Sequence, residues 1–150
     1  MSWDDATARV CVEACAAHPD DVVLVLGEGG IAGALAGRAR RVVQGASLAD
    51  APAGVSIVVA HAFLRHLAPP AQRAFLAELG RVLPSRGLAV IGDLMWSFPP
   101  DQIDEPELFG QPIAHVQTTA TYERWARDAG FLPDVHRFAP GVAVMILVKT

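Results

Sequence analysis

The sequence has no long apolar run, no basic run and almost no cysteine, and each lack closes a class of function. No apolar stretch approaches the ~18 residues of a membrane span; the longest, Val142-Ala-Val-Met-Ile-Leu-Val148, has the length of a strand. The start, Met1-Ser-Trp-Asp-Asp5, lacks the basic residues that open a secretory signal, so a cytoplasmic protein without a membrane partner is expected. Formal net charge is −4, and the one basic cluster, Arg38, Arg40 and Arg41, reads as a solvated helix end favoured by the dipole. That balance argues against nucleic acid as the main partner. Cys11 and Cys15 are the only cysteines, one helical turn apart, and read as buried thiols of a reducing compartment. With His18 alone they make no four-ligand set, so no metal is expected. The chain also lacks a Gly-Lys-Ser/Thr phosphate turn, a Gly-x-Ser-x-Gly elbow and a Cys-x-x-Cys pair. Repeats, low-complexity tracts and linkers are absent too, leaving a single domain over residues 1–150.

What is present is apolar. Hydrophobic residues make up 52% of the chain and charged ones 19%, which suits a sheet covered by helices on both faces. The organising stretch is Val22-Val-Leu-Val-Leu-Gly-Glu-Gly-Gly-Ile31, a buried strand broken by Gly27, Gly29 and Gly30, with a helical pattern following at once. A strand, a glycine turn and a helix begin a βαβ unit, and glycines let backbone approach a ligand while N–H groups point into the gap.

The pattern predicts an N-terminal helix within residues 1–20, covering about 3–17, then a strand at Val22–Leu26 and a helix over Gly30–Ala39. A short strand at Arg41–Gln44, a loop over Gly45–Gly54 and a strand at Val55–Ala60 follow. Pro69 and Pro70 open a helix whose face is Phe75, Leu76, Leu79, Val82 and Leu83. Leu88–Asp93 is another strand. Leu94–Gln117, with its prolines and acids, reads as a lid or loop over a site. Thr118 or Thr119 caps a helix with Tyr122, Trp125, Ala126 and Ala129 inward, ended by Gly130. Phe131–Phe138 and Val142–Lys149 form a hairpin through Ala139-Pro-Gly141. The fold class is therefore α/β: a single Rossmann-like domain, mostly parallel, with an antiparallel C-terminal hairpin.

Four motifs stand in one order. Leu24-Val-Leu-Gly-Glu-Gly-Gly30 resembles the first motif of class I S-adenosylmethionine-dependent methyltransferases. Val55-Ser-Ile-Val-Val-Ala-His-Ala-Phe-Leu-Arg-His-Leu67 is similar to that family's strand and loop ending in a histidine. Leu79-Gly-Arg-Val-Leu-Pro-Ser-Arg-Gly-Leu-Ala-Val-Ile-Gly-Asp93 and Tyr122-Glu-Arg-Trp-Ala-Arg-Asp-Ala-Gly-Phe131 resemble two later segments. The resemblance covers residues 20–150 and implies a shortened methyltransferase topology, S-adenosylmethionine as cofactor and a small-molecule substrate.

The departures are specific. Val25 stands where family members have an acid, Ile31 aligns with the third glycine, and Ser56 replaces an aspartate. Val43-Gln-Gly-Ala-Ser47 offers no carboxylate for ribose hydroxyls. Residues 31–54 leave room for one short strand, read here as the family's third strand with the second and its helix deleted; the adenine-side aspartate then falls at Ala46. Each lost charge-assisted bond weakens binding by ~1.5–3 kcal/mol.

The resemblance implies a cofactor site at Gly27, Glu28, Gly29, Gly30, His61, Ala62 and Phe63. His66 and Asp93 are candidate catalytic groups, His66 as a base for the acceptor. Met95 and Trp96, with Phe98, are candidate substrate contacts in the lid. Structural roles stay open for each: Glu28 as a solvated helix-start acid, His66 as a packing histidine, Asp93 as a cap. No Asp-Pro-Pro-Tyr signature of DNA adenine methyltransferases follows Val55–Ala60. Three readings stand: a small-molecule methyltransferase, a degenerate cofactor-free scaffold acting as a homodimer, or a repurposed fold with lyase or cyclase chemistry.

Overall fold

The computed structural model describes residues 3–96, 107–108, 111–112, 115–139 and 141–150. Phe98 and most of the expected lid lie outside them. The elements run α1 (Trp3–Cys15), β1 (Val22–Gly27), α2 (Ile31–Leu35), β2 (Arg41–Gln44), β3 (Ile57–His61), α3 (Pro69–Val82), β4 (Leu88–Met95), β5 (Glu107–Leu108), β6 (Gln111–Pro112), α4 (Thr119–Asp128), β7 (Phe131–Ala139) and β8 (Gly141–Lys149). Short 3₁₀ turns at Leu48–Asp50 and Leu64–His66 follow β2 and β3.

Six strands form one sheet in the order β2-β1-β3-β4-β8-β7, and β5 pairs with β6 apart from it. β2, β1, β3 and β4 are parallel; β8 runs antiparallel to β4 and β7. The apolar run of β1 explains its central place. Leu24 and Leu26 enter a core under α3 and α4, with Ala60, Leu76, Ile91, Tyr122 and Phe131. Val23 and Val25 enter a second core under α1 and α2, with Cys11, Ile31, Val59 and Val90. A strand buried on both faces needs side chains of this kind at every position.

The α/β class, the helix on each face and the C-terminal hairpin are as the sequence predicts, and the differences have local causes. α2 stops at Leu35 instead of Ala39, because Ala36 turns extended (ψ 130°) and Gly37 adopts φ +83°. β4 continues to Met95, paired with β8 along its whole length, so the expected loop begins later than Leu94. β2 pairs directly with β1, Val22 opposite Arg41 through Val25 opposite Gln44. It is therefore the neighbour of the first strand, not a third strand with its predecessor removed; the chain economises outside β2. Ser56 sits at the opposite end of the sheet, where its hydroxyl donates to Asp21 Oδ1 (2.8 Å) and accepts from Val22 N. It joins strands and has no part at the carboxyl edge.

Candidate functional site

The carboxyl ends of the four parallel strands meet at one edge, the place where open α/β sheets hold ligands. β1 ends there in a turn whose three glycines are left-handed: Gly27 at φ +87°, Gly29 at +104°, Gly30 at +67°. Two of these are required by the chain's own packing. A Cβ on Gly27 would fall into the His61 carbonyl oxygen, and one on Gly29 would lie 2.9 Å from both Ala8 Cβ and His61 Nδ1. Gly30 faces open space, and Glu28 is exposed beside it.

His61 lies beneath this turn, only 1% exposed. Its Nδ1 is 2.8 Å from the Glu28 carbonyl oxygen, so Nδ1 carries the proton and donates. In return Glu28 N donates to the His61 carbonyl at 3.0 Å. Nε2 is buried without a hydrogen-bond partner. His61 therefore supports the turn from below; its ring offers a ligand nothing directly. Ala62 adopts φ +52°, rare for a non-glycine residue, and its N–H donates to Gly92 O, which pins the bend after β3. Phe63 follows, half-buried, its ring 5.2 Å from that of Phe75.

Phe63 also lines an apolar groove of about 460 Å³ with Leu48, Ala49, Leu67, Ala71 and Phe75, open between the turn after β2 and α3. Gln44, the last residue of β2, reaches the glycine turn. Its Nε2 donates to Val25 O and Gly27 O, each at 3.2 Å. Asp50 caps the adjoining turn by accepting from Ala46 N and Ser47 N, contacts that hold its carboxyl below the usual range.

Asp93, at the β4 end, is 1% exposed and fully engaged. Oδ1 accepts from Arg65 Nε at 2.7 Å and from Leu94 N at 2.8 Å; Oδ2 accepts from Phe63 N and Arg65 N. Arg65 turns its remaining nitrogens to Asp4 on α1, at 3.0 and 3.3 Å. Burial alone would lower the Arg65 pKa, but Asp93 and Asp4 outweigh it and the guanidinium is raised. This arrangement shapes the loop that carries Phe63 and His66. It leaves Asp93 without a lone pair positioned for proton transfer.

His66 is exposed on the 3₁₀ turn, at the same edge. Met95 and Trp96 are 1% and 3% exposed; Met95 joins the core under α3 and α4, and Trp96 packs with Leu94, Val116 and Val142. Both side chains are spent on packing beneath the edge. Thus the structure brings Gly27, Glu28, Gly29, Gly30, Ala62, Phe63 and His66 to one edge and places His61, Asp93, Met95 and Trp96 beneath it. Sequence reading missed Gln44 and Arg65. The signal for Gln44 was its place at the end of β2; for Arg65, a lone cation between Leu64 and His66 in an apolar stretch.

No family model matches the sequence, and no curated protein matches it. Solved structures do. The methyltransferase SibL in its apo form aligns with a TM-score of 0.66 at 16% identity, over 98% of this chain and 55% of that one. Human N-acetylserotonin methyltransferase in complex with SAM gives 0.66 at 14% identity, over 95% of this chain and 51% of that. The Burkholderia thailandensis 1,6-didemethyltoxoflavin-N1-methyltransferase, with its substrate and S-adenosylhomocysteine bound, gives 0.62 at 16%, over 99% and 79%. The fold is that of class I S-adenosylmethionine-dependent methyltransferases. The chain spans about half the length of the first two. Among the described residues, no helix is long and apolar enough to cross a membrane and no group of His, Cys, Asp and Glu is placed to hold a metal.

Proposed function

We propose that this chain forms the cofactor-binding domain of an S-adenosylmethionine-dependent methyltransferase that acts on a small molecule. The observation that carries this reading is the juxtaposition at one sheet edge of an outward-facing glycine turn, the Gln44 amide and the apolar groove under Phe63. The donor set fits the cofactor's parts. Exposed backbone at Glu28–Gly30 suits its polar amino-acid end, Gln44 its sugar, and the groove of Leu48, Phe63 and Leu67 its planar base. When bound, S-adenosylmethionine supplies an electrophilic methyl on a sulfonium, whose sulfur leaves as a thioether. The acceptor's proton then needs a base, and His66 is the exposed histidine at this edge. Asp93 acts through Arg65 and the loop's N–H groups, as a positioning residue.

The test is calorimetric titration with S-adenosylhomocysteine, alongside thermal unfolding. Ligand at a hundredfold its Kd adds ~2.7 kcal/mol to stability. The absence of both binding heat and a midpoint shift at millimolar ligand would overturn the reading.

A second reading rests on one observation: Gly27 and Gly29 are demanded by His61 and Ala8 whether or not a ligand is present. In that case the chain is a cofactor-free partner protein, and a homodimer seen by sedimentation, without ligand binding, supports it. Placement in the cytoplasm is part of both proposals. Of the two groups a lyase or cyclase step would use as acid or base, His66 and Asp93, only His66 is exposed at the edge.

A further inference from the structure

We infer that Gln72 is a positioning residue for His66: its buried amide ties the 3₁₀ turn that carries His66 to residue 115, on the segment that leads into α4. The assignment deepens the methyltransferase reading above and rests on it for the role of His66.

Gln72 lies in the first turn of α3. Pro69 and Pro70 before it have no N–H, and Gln72 N closes a helical bond to Ala68 O at 3.0 Å. The backbone that carries the side chain is thus fixed. The residue is 0% exposed. Its Nε2 donates to Leu64 O at 3.0 Å and to His115 O at 2.6 Å. Both partners are carbonyl oxygens, which only accept, so the amide nitrogen faces them and both its hydrogens are used. Leu64 opens the turn Leu64–His66. Two residues beyond His115, Gln117 O accepts from Trp96 N at 2.9 Å. One side chain therefore joins α3, the His66 turn and the segment that leads into α4.

The turn is held from two sides. From β4, Asp93 Oδ2 accepts from Phe63 N and Arg65 N. From α3, Gln72 donates to the carbonyl of Leu64, the residue between them. His66 follows, its own N–H on Phe63 O at 3.2 Å, and its exposed imidazole stands on a turn whose backbone has little freedom. The other atom of the amide argues against a mere filler. Oε1 is buried, and none of the described residues donates to it. A methionine of similar length would fill the space without that unpaired acceptor, so packing alone gives no reason for glutamine here.

The experiment measures amide-hydrogen exchange by NMR in wild type and Gln72→Met, with calorimetric titration of S-adenosylhomocysteine into both. In Gln72→Met, protection at His66, Leu67 and Trp96 is expected to fall about tenfold or more, while amides of β1 and β3 keep theirs. The His66 Cε1–H resonance, assigned by its loss in His66→Ala, is expected to move, and those of His18 and His136 to stay. S-adenosylhomocysteine affinity is expected to be alike in the two proteins. Unchanged protection at the turn overturns the inference. So does an equal loss across β1 and β3, which would make Gln72 a general stabiliser. If wild type binds no S-adenosylhomocysteine, the methyltransferase reading falls and takes the role of His66 with it, whereas failure of the exchange arm leaves that reading standing. Should Gln72→Met not fold, the wild type decides. Its Gln72 side-chain amide hydrogens must then exchange at least about tenfold more slowly than in the urea-unfolded chain, and equal rates overturn the inference.

Discussion

Arg65 Nε lies 2.7 Å from Asp93 Oδ1 with both side chains buried, and the outer nitrogens of the same guanidinium reach Asp4 on α1. One cation therefore joins three parts of the chain: the turn after β3, the end of β4, and the N-terminal helix. The backbone N–H groups of Phe63, Arg65 and Leu94 complete the shell around Asp93.

Removing one partner of such a pair leaves a buried charge without compensation, at a cost of ~3–5 kcal/mol. Arg65→Met and Asp93→Asn should each lower stability by that order in urea unfolding. The double variant should lose less than the sum, because no unpaired charge remains. Asp4→Ala should cost much less, since that carboxylate is partly in water. A single-variant loss below about 1 kcal/mol would show that the pair is replaced by solvent.

The glycine turn makes a ranked prediction. Gly27→Ala puts a methyl group into the His61 carbonyl and should prevent stable folding. Gly29→Ala adds a 2.9 Å contact with Ala8 and His61 to an unfavourable φ of +104°, for a loss of about 2–3 kcal/mol. Gly30→Ala meets nothing within 4 Å and pays only for the left-handed backbone, about 1 kcal/mol. Thermal midpoints in the order Gly30→Ala, Gly29→Ala, Gly27→Ala from high to low would agree. Equal losses at all three would show that the turn rearranges.

The elements of this fold were legible because its strands are coded by continuous apolar runs and its turns by glycine. Val22–Leu26, Leu88–Asp93 and the helix opened by Pro69 needed no tertiary information. The site was legible only as a place. The Leu-Gly-Glu-Gly-Gly stretch marks the carboxyl edge, but sequence does not say which side of an edge residue faces ligand. His61 and His66 are alike in sequence and differ in the structure, one inside and one out: the His61 ring packs where Gly29 and Gly92 carry no side chain. Asp93 drew notice as a carboxylate at a strand end. Its partner Arg65, which decides its role, is distant in sequence. The position of β2 was misread since a short span can be lost from either side of a strand.

The two histidines give a direct contrast. His61→Ala removes a ring packed under the turn and the bond to Glu28 O, so a loss of ~2 kcal/mol or more is expected. His66→Ala alters an exposed side chain and should stay within ~0.5 kcal/mol of wild type. With an acceptor in hand, His66→Ala should lower kcat by ~10²–10⁴ while leaving S-adenosylhomocysteine affinity unchanged. Unchanged kcat would remove His66 from the chemistry.

Stability at high pH depends on the two thiols. Cys11 and Cys15 lie between α1 and the sheet, 0% and 3% exposed. Burial pushes both up to about 12; Cys15 and Asp93 add to the rise at Cys11, and Asp21 to that at Cys15. In the unfolded chain each ionises near 9.0. Below that value both states hold their protons, and this stabilising term is fully present. Above it the unfolded chain releases protons that the native state keeps, so stability falls as pH rises toward about 12. The slope is up to ~1.4 kcal/mol per pH unit for each thiol. Urea midpoints should decline across that window, and a Cys11→Ala/Cys15→Ala variant should decline less steeply. Tyr122, raised by burial and by Asp93, titrates in both proteins and cancels from the difference. Thiol reagents should label the native wild type only after unfolding, because the reactive thiolate is absent from the folded state. Equal slopes in the two proteins, with fast labelling of native wild type, would mean that α1 opens from the sheet and exposes the thiols to water.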